Sequence, residues 1–309
     1  MAFANDFEYA ELFQTVLDAQ IEQESVTGWM DANAGQVQYN GGKTVKVPKM
    51  TMTGLGDYSR TGGYPEGSVT LEYEDFTMTQ DRATQFLLDQ MDVNETNFVA
   101  NATTVMAEFQ RLHVIPEIDA YRISKIATYA IGNTATASDN VEYGYTPAAA
   151  TIIGKLADAV EIGGYDSYIL ATPDTVKALE MQIGANNLSS VTYSQAGFDQ
   201  TVPAFNGRPI IKVDPSRMVT AITTANLSNG AGGGWSKGQT ALDINFIVVP
   251  RTAPIAINKL DEPKIFEPGV VQEYSGWLID YRRYHDLWVM DNKIPGIYVN
   301  IKDAEPASE

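Results

Sequence analysis

Apolar positions along this chain change their spacing several times, and each change marks an element. Phe98, Ala102, Val105, Met106, Phe109 and Leu112 recur at helical spacing behind a cap at Asn94 or Thr96, predicting a helical region over 94–131. The stripe runs into Pro116, which lacks the N–H of an uninterrupted helix and so marks a kink or a new first turn. Glu117 and Asp119 suit that first turn, and Asp119 is spaced to pair with Arg122 one turn later. Upstream, KTVKVPKMTMT and SVTLEYEDFTMT alternate and predict a long hairpin across 43–80. The joining segment, GLGDYSRTGGYPEG, is longer than a hairpin turn requires. A two-stranded ribbon has no core of its own, so it must lie on something else. Pro48 suits an edge ribbon because it removes a ladder donor.

Residues 1–42 read as an arm, with one short amphipathic helix over Phe7 to Ile21 on Phe13, Val16, Leu17 and Ile21, then the loop NAGQVQYNGG. After the central helix come the polar linker GNTATASDNVEYG and a helix over 147–162 that starts at Pro147. YDSYILATP reads as a strand leading into a helix from Pro173 to Ile183, and FNGRPIIKVDPSRM as a turn, a buried strand and a stop. Gly230 to Gly234 lie in a loop, and 165–250 form an α/β unit. The last third is strand-rich. Within GWLIDYRRYHDLWVM, helical spacing would align Trp277, Tyr281, Tyr284 and Trp288. Alternation instead aligns Trp277, Ile279, Tyr281, Leu287 and Val289 with Arg283 and His285 between them, and aromatic enrichment favours this strand. The tail DAEPASE reads as disordered.

Composition narrows the function classes. The 309 residues carry no cysteine, which excludes disulfides, thiolate zinc sites and cysteine nucleophiles. No apolar run approaches the ~20 residues of a membrane-spanning helix. A net charge of −18, from 21 basic against 39 acidic residues, argues against an enzyme or repressor that grips nucleic acid through phosphates. An acidic wall that merely contains DNA is compatible with it.

Motifs that suggest catalysis fail on context. Gly234-Trp235-Ser236-Lys237-Gly238 matches the hydrolase pattern G-x-S-x-G, with Asp280 and His285 downstream in the required order. A glycine run precedes the serine where a strand is needed, so a loop is the better reading. Gly42-Lys43-Thr44 resembles the end of a phosphate loop, but its spacing from Gly35 is wrong and a β pattern follows. The sequons at Asn94 and Asn101 are chance matches. His113 and His285, the only histidines, have no second histidine at ligand spacing. Glu72, Glu74 and Asp75 could hold a divalent cation weakly, but a solvated or salt-bridged strand face is the better reading. The sequence therefore indicates no catalytic, cofactor or metal residue.

Charge points instead to contact with a neighbour. Lys43, Lys46 and Lys49, with Arg60 and Arg82, make the hairpin region locally basic in an acidic chain. Two readings stand side by side: lysine protecting an edge strand, or a ribbon docking on an acidic patch of another subunit.

The run Val105 to Ile126 with its PEIDAYR segment, together with the Tyr-Arg-Arg-Tyr-His-Asp block and the closing DNKIPGIYV, resembles tailed-phage major capsid proteins of the Hong Kong phage type. The resemblance implies an α+β subunit: an N-terminal arm (1–42), an extended hairpin loop (43–80), a peripheral domain with its spine helix (81–164), an axial α/β domain (165–250), C-terminal strands of the peripheral domain (251–303) and a tail (304–309). It places Pro116, Glu117, Asp119 and Arg122 at the bend of the spine helix. It also implies hexamers and pentamers of this chain, closing into an icosahedral shell around double-stranded DNA. Scaffolding and portal proteins would be partners, with assembly in the host cytoplasm and no membrane. Some members of that family carry a helical scaffolding segment before the arm; only residues 1–42 precede the extended loop here, so the resemblance implies a separate scaffolding protein or an already trimmed form, with Met1 arguing against trimming. An encapsulin-type compartment, a phage tail or decoration protein, and a serine hydrolase built on Ser236 are the alternatives.

Overall fold

A computed structural model describes residues 25–36, 44–61, 63–89, 102–132, 140–184, 188–195, 198–226, 233–266 and 276–305. The amphipathic helix expected over Phe7 to Ile21, the caps at Asn94 or Thr96, the asparagines of both sequons and the end of the tail lie outside the described residues.

A mixed seven-stranded sheet forms one layer. It comprises β4 (Val141–Glu142), β5 (Ser167–Ala171), β6 (Ser189–Gln195), β7 (Phe198–Phe205), β8 (Arg208–Lys212), β11 (Ile244–Pro250) and β14 (Tyr298–Ile301). Their order is β4-β14-β11-β5-β8-β7-β6, with β5 parallel to β8 and β14 parallel to β4. Every residue of β5 is buried, as expected of a strand covered on both faces. Strand alternation sends Tyr168 and Leu170 with Ile247 and Val249 to one face, and Ile169 and Ala171 with Phe246 and Val248 to the other. The first face packs on Ile123, Ile126 and Ala130 of helix α2 (Ile115–Gly132); the second packs on α3 (Ile152–Gly163) and α4 (Pro173–Ile183).

The second layer is a three-stranded antiparallel sheet, β12 (Pro254–Phe266), β13 (Gly276–Val289) and β3 (Gln80–Asp89), with β13 in the middle. β13 is a strand, as its aromatic content indicated, and Ile279, Tyr281, Arg283, His285, Leu287 and Val289 are all buried at its odd positions. Arg283 is held on that face by Asp261 of β12, 2.6 Å away. Helix α1 (Ala102–Phe109) covers part of this sheet through Met106, which packs with Ile279 and Tyr281.

The central helix differs from expectation at one turn. α1 does not break at Pro116: Gln110–Val114 form a π turn, and Ile115 donates to Gln110 O five residues back. Pro116 then occupies the first turn of α2, where its missing N–H costs nothing. The extra residue of the π turn rotates the register, so Leu112, expected on the buried stripe, is half exposed while Gln110 is fully buried. The helix expected from Pro147 begins at Ile152, after a turn at Ala148–Thr151. Asn206 and Gly207 both have positive φ and make the tight turn between β7 and β8.

Other expectations shift as well. β3, β6 and β7 are strands where none was expected. Residues 28–36, at the end of the presumed arm, form a 3-10 helix whose Trp29 and Met30 enter the main core. Ser236, expected in a loop, lies in β10 (Gly234–Lys237), paired antiparallel with β9 (Ile222–Ala225).

Candidate assembly surface

The hairpin is present: β1 (Thr44–Met52) pairs antiparallel with β2 (Val69–Thr77) from Thr44↔Thr77 to Met52↔Val69. Its root is fixed to the body. Val45 and Val47 point inward against Ile255, Ile257 and Trp288, and the Phe76 ring stacks on Trp288 at 5.6 Å. Lys49 continues the same inward parity and bridges Glu74 at 2.9 Å and Asp291 at 3.0 Å. These two carboxylates, Glu74 first, hold the Lys49 ammonium above its ordinary range.

Beyond Lys49 the ribbon leaves the body. Its outward parity carries Met50 opposite Leu71 and Met52 opposite Val69, with Tyr73 next to them. All five are at least half exposed, between 52% and 67%. The tip adds Leu55 and the Tyr58–Tyr64 ring pair, 5.1 Å apart and exposed. At about 3.4 Å per residue, the strand from Val47 to its end at Met52 reaches roughly 17 Å past the last buried position. The result is a contiguous apolar face with no cover among the described residues.

Sequence placed the binding chemistry of this ribbon in its charges, and the geometry distributes them differently. Lys49 is engaged within the chain. Arg82, on β3, donates to Glu117 Oε1 at 2.8 Å and to Gly234 O at 3.0 Å. Lys46 faces Asp75 at 3.8 Å with both side chains exposed, a contact of small value. Arg60 is exposed at the tip, and Lys43 lies outside the described residues. The apolar outer face was missed because the alternation of β1 and β2 was assigned without deciding which face the body covers.

The predicted Asp119–Arg122 pair is not formed. Both side chains are buried, at 0% and 1% exposure, and each reaches the segment 25–31. Asp119 accepts from Ser25 Oγ (2.7 Å), Thr27 Oγ1 (2.6 Å) and the Val26 and Thr27 amides, and pairs with Arg217 at 3.1 Å. Arg122 forms a two-pronged bond to Asp31 (2.6 and 3.0 Å) and donates to Thr27 O. A buried carboxylate needs several donors, and the backbone amides of a chain lying across α2 supply more than one neighbouring guanidinium could. Glu117, also placed at the bend, instead meets Arg82.

The elements of a serine hydrolase do not assemble. Ser236 is an exposed strand residue opposite Thr223, and no strained strand-to-helix turn carries it. His285 is buried, edge-on to Tyr121, and Asp280 accepts from Gln85. Thr44 opens a strand, so Gly42-Lys43-Thr44 does not lead into a helix. Among the described residues no group of three or more potential metal ligands converges, and no helix is long and apolar enough to cross a membrane.

No family model matches this sequence, and no curated protein matches it. Solved structures do. The capsid of cyanophage P-SCSP1u aligns with a TM-score of 0.55 at 13% identity, over 84% of this chain and 83% of that one. The mature capsid of bacteriophage PhiM1 aligns at 0.55 and 10% identity, over 85% and 82%. The chain has the fold of phage major capsid proteins. A virus-like particle from Pyrococcus furiosus shares this shell fold at a TM-score of 0.50 and 10% identity, over 95% of this chain and 99% of that one. The α+β shell fold inferred from PEIDAYR and the C-terminal block is therefore the observed one.

Proposed function

We propose that this chain is a major capsid protein: a non-enzymatic subunit that assembles with copies of itself, as hexamers and pentamers, into an icosahedral shell around double-stranded DNA. The observation that carries the reading is the apolar outer face of the hairpin, built on a shell fold and uncovered within its own chain. Covering it with a second copy removes Met50, Met52, Val69, Leu71 and Tyr73 from water, at about 25 cal/mol per Å² of apolar surface. In this reading β1–β2 is the extended loop, β3 with α1, α2, β12 and β13 forms the peripheral domain, and β5–β8 with α3, α4 and β11 forms most of the axial domain. The described part of the proposed arm, residues 25–36, is held at 25–31 by Asp119 and Arg122. Scaffolding and portal proteins belong to the same proposal, as does assembly in the host cytoplasm. The net charge of −18 suits a wall that contains DNA without gripping it.

A second reading, an encapsulin-type protein compartment, rests on the same shell fold, which the Pyrococcus furiosus virus-like particle shares over 95% of this chain. Electron microscopy of the purified protein, with nuclease-resistant nucleic acid measured in the same particles, separates the two. Closed shells that hold DNA support the capsid reading. Closed shells that hold protein cargo support the compartment. A monodisperse monomer at high concentration defeats both.

A further inference from the structure

The methionines of this chain are divided unevenly between core and surface. Met30, Met78, Met106 and Met218 are fully buried, and Met290 is packed against the cluster around Trp288. Met50 and Met52, by contrast, are 53% and 67% exposed, and Met181 of α4 is 70% exposed. Met50 and Met52 occupy successive outward positions of β1, opposite Leu71 and Val69, on the face that the capsid reading gives to a second copy.

β1 uses Val45 and Val47 where it meets its own body, and Met50 and Met52 where it faces outward. A thioether is soft and adaptable, which suits a contact made between molecules, but unlike a valine side chain it can be oxidised. The opposite face of the projecting ribbon is already polar: Thr51 and Thr70 pair across it, and both are exposed. Oxidation of the methionines makes the outer face resemble that one. A sulfoxide oxygen is a hydrogen-bond acceptor, and beside Leu71 and Val69 it finds no donor side chain once water is removed.

We propose that Met50 and Met52 make assembly sensitive to peroxide: oxidation of either thioether in a free subunit excludes that subunit from particles, whereas subunits already assembled are protected. The inference rests on the capsid reading of the ribbon face. In the step itself, the sulfur lone pair attacks one oxygen of hydrogen peroxide. An S–O bond forms, the O–O bond breaks, and the proton on the transferred oxygen passes to the departing hydroxide, which leaves as water. Sulfur is oxidised and the peroxide is reduced. One unpaired polar group in an apolar contact weakens that contact by about tenfold or more.

Free subunits of the full-length protein are partly oxidised with hydrogen peroxide, freed of it, allowed to assemble and separated by sedimentation into particles and unassembled protein. Peptide mass spectrometry should find sulfoxide at Met50 and Met52 enriched about tenfold or more in the unassembled fraction. Sulfoxide at the exposed Met181, which lies on α4 and not on the ribbon, should be shared equally between the fractions. Methionine sulfoxide reductases for both epimers, with dithiothreitol as reductant, should return the excluded subunits to particles. The same peroxide dose given after assembly should leave the particles intact. Equal sulfoxide at Met50 and Met52 in the two fractions overturns the proposal, as does exclusion that follows Met181 or that the reductases do not reverse. Particles that gain oxygen at Met50 and Met52 and fall apart would also overturn it. Untreated protein that forms no particles defeats the capsid reading and this inference together, whereas particles that admit oxidised subunits defeat the inference alone.

Discussion

The start of helix α2 and the outer face of the ribbon are built in opposite senses. α2 buries charge: Asp119 and Arg122 are enclosed, and each carries an ion pair, Asp119 with Arg217 and Arg122 with Asp31. The ribbon exposes apolar surface: Met50, Met52, Val69, Leu71 and Tyr73 face water. Each reverses the usual partition of a soluble protein, but only one is completed within the chain. The buried charges have directional partners on residues 25–31 and 217, which fix where the N-terminal segment crosses the helix. The ribbon has none among the described residues, and non-directional apolar contact suits a surface that is finished by another molecule. Polar networks set the register inside this subunit, and in the proposed reading apolar burial joins it to the next.

Breaking the completed side should give the largest effect on folding. Asp119→Ala leaves Arg217 and the Ser25 and Thr27 donors without their acceptor, and should cost about 3–5 kcal/mol of subunit stability in urea unfolding. A loss below about 1 kcal/mol would make the contact incidental.

Breaking the other side should spare folding and abolish assembly. Met50→Ser with Leu71→Ser should change unfolding by no more than about 0.5 kcal/mol, as for exposed positions. Sedimentation should nevertheless show loss of particles. Particles formed normally by this variant would return the weight to the basic residues. For those, Lys43→Glu, Lys46→Glu and Lys49→Glu together should still impair assembly, chiefly because Lys49 no longer joins Glu74 and Asp291 at the ribbon root.

A smaller effect tests the buried face of β13. His285 is held well below its ordinary value of 6.5, first by burial and then by Arg283 and Arg122. The unfolded chain therefore takes up this proton more readily. The stability from keeping the ring neutral is full above the unfolded value and falls as pH drops below it toward the depressed folded value. At pH 5.5 this group alone should have lost about 1.4 kcal/mol relative to pH 7.5. His285→Phe should remove that increment from the pH dependence of unfolding. The smallest effect is expected at Leu112→Gln, within about 0.5 kcal/mol, because the π turn has already turned Leu112 outward. A large loss there would put Leu112 back on the buried stripe.

Much of the frame was legible in the sequence, for local reasons. β5 leading into α4 followed from YDSYILA before Pro173, the turn before β8 from Asn206-Gly207, and the strand β13 from its aromatic alternation. Among the strands that escaped, β3 carries Gln, Asp and Arg among its half-buried Thr84, Phe86 and Leu88, and β6–β7 is polar on its exposed side. The π turn was invisible because one extra residue changes register without changing composition. Asp119 and Arg122 were rightly singled out but given the wrong partners. An i,i+3 rule sees neighbours on a helix, whereas Ser25, Thr27 and Asp31 lie more than ninety positions earlier. For the ribbon, the charges were visible as letters, but its apolar outer face emerged only once Val45 and Val47 identified the inner one.

The rates at which peroxide oxidises Met50 and Met52, read by mass spectrometry in particles and in dissociated subunits, test the completion of that face by a second copy most directly. Both methionines should oxidise freely in subunits and be strongly protected in particles, while the exposed Met181 of α4 serves as the reference. Equal oxidation of Met50 and Met52 in the two states would contradict it.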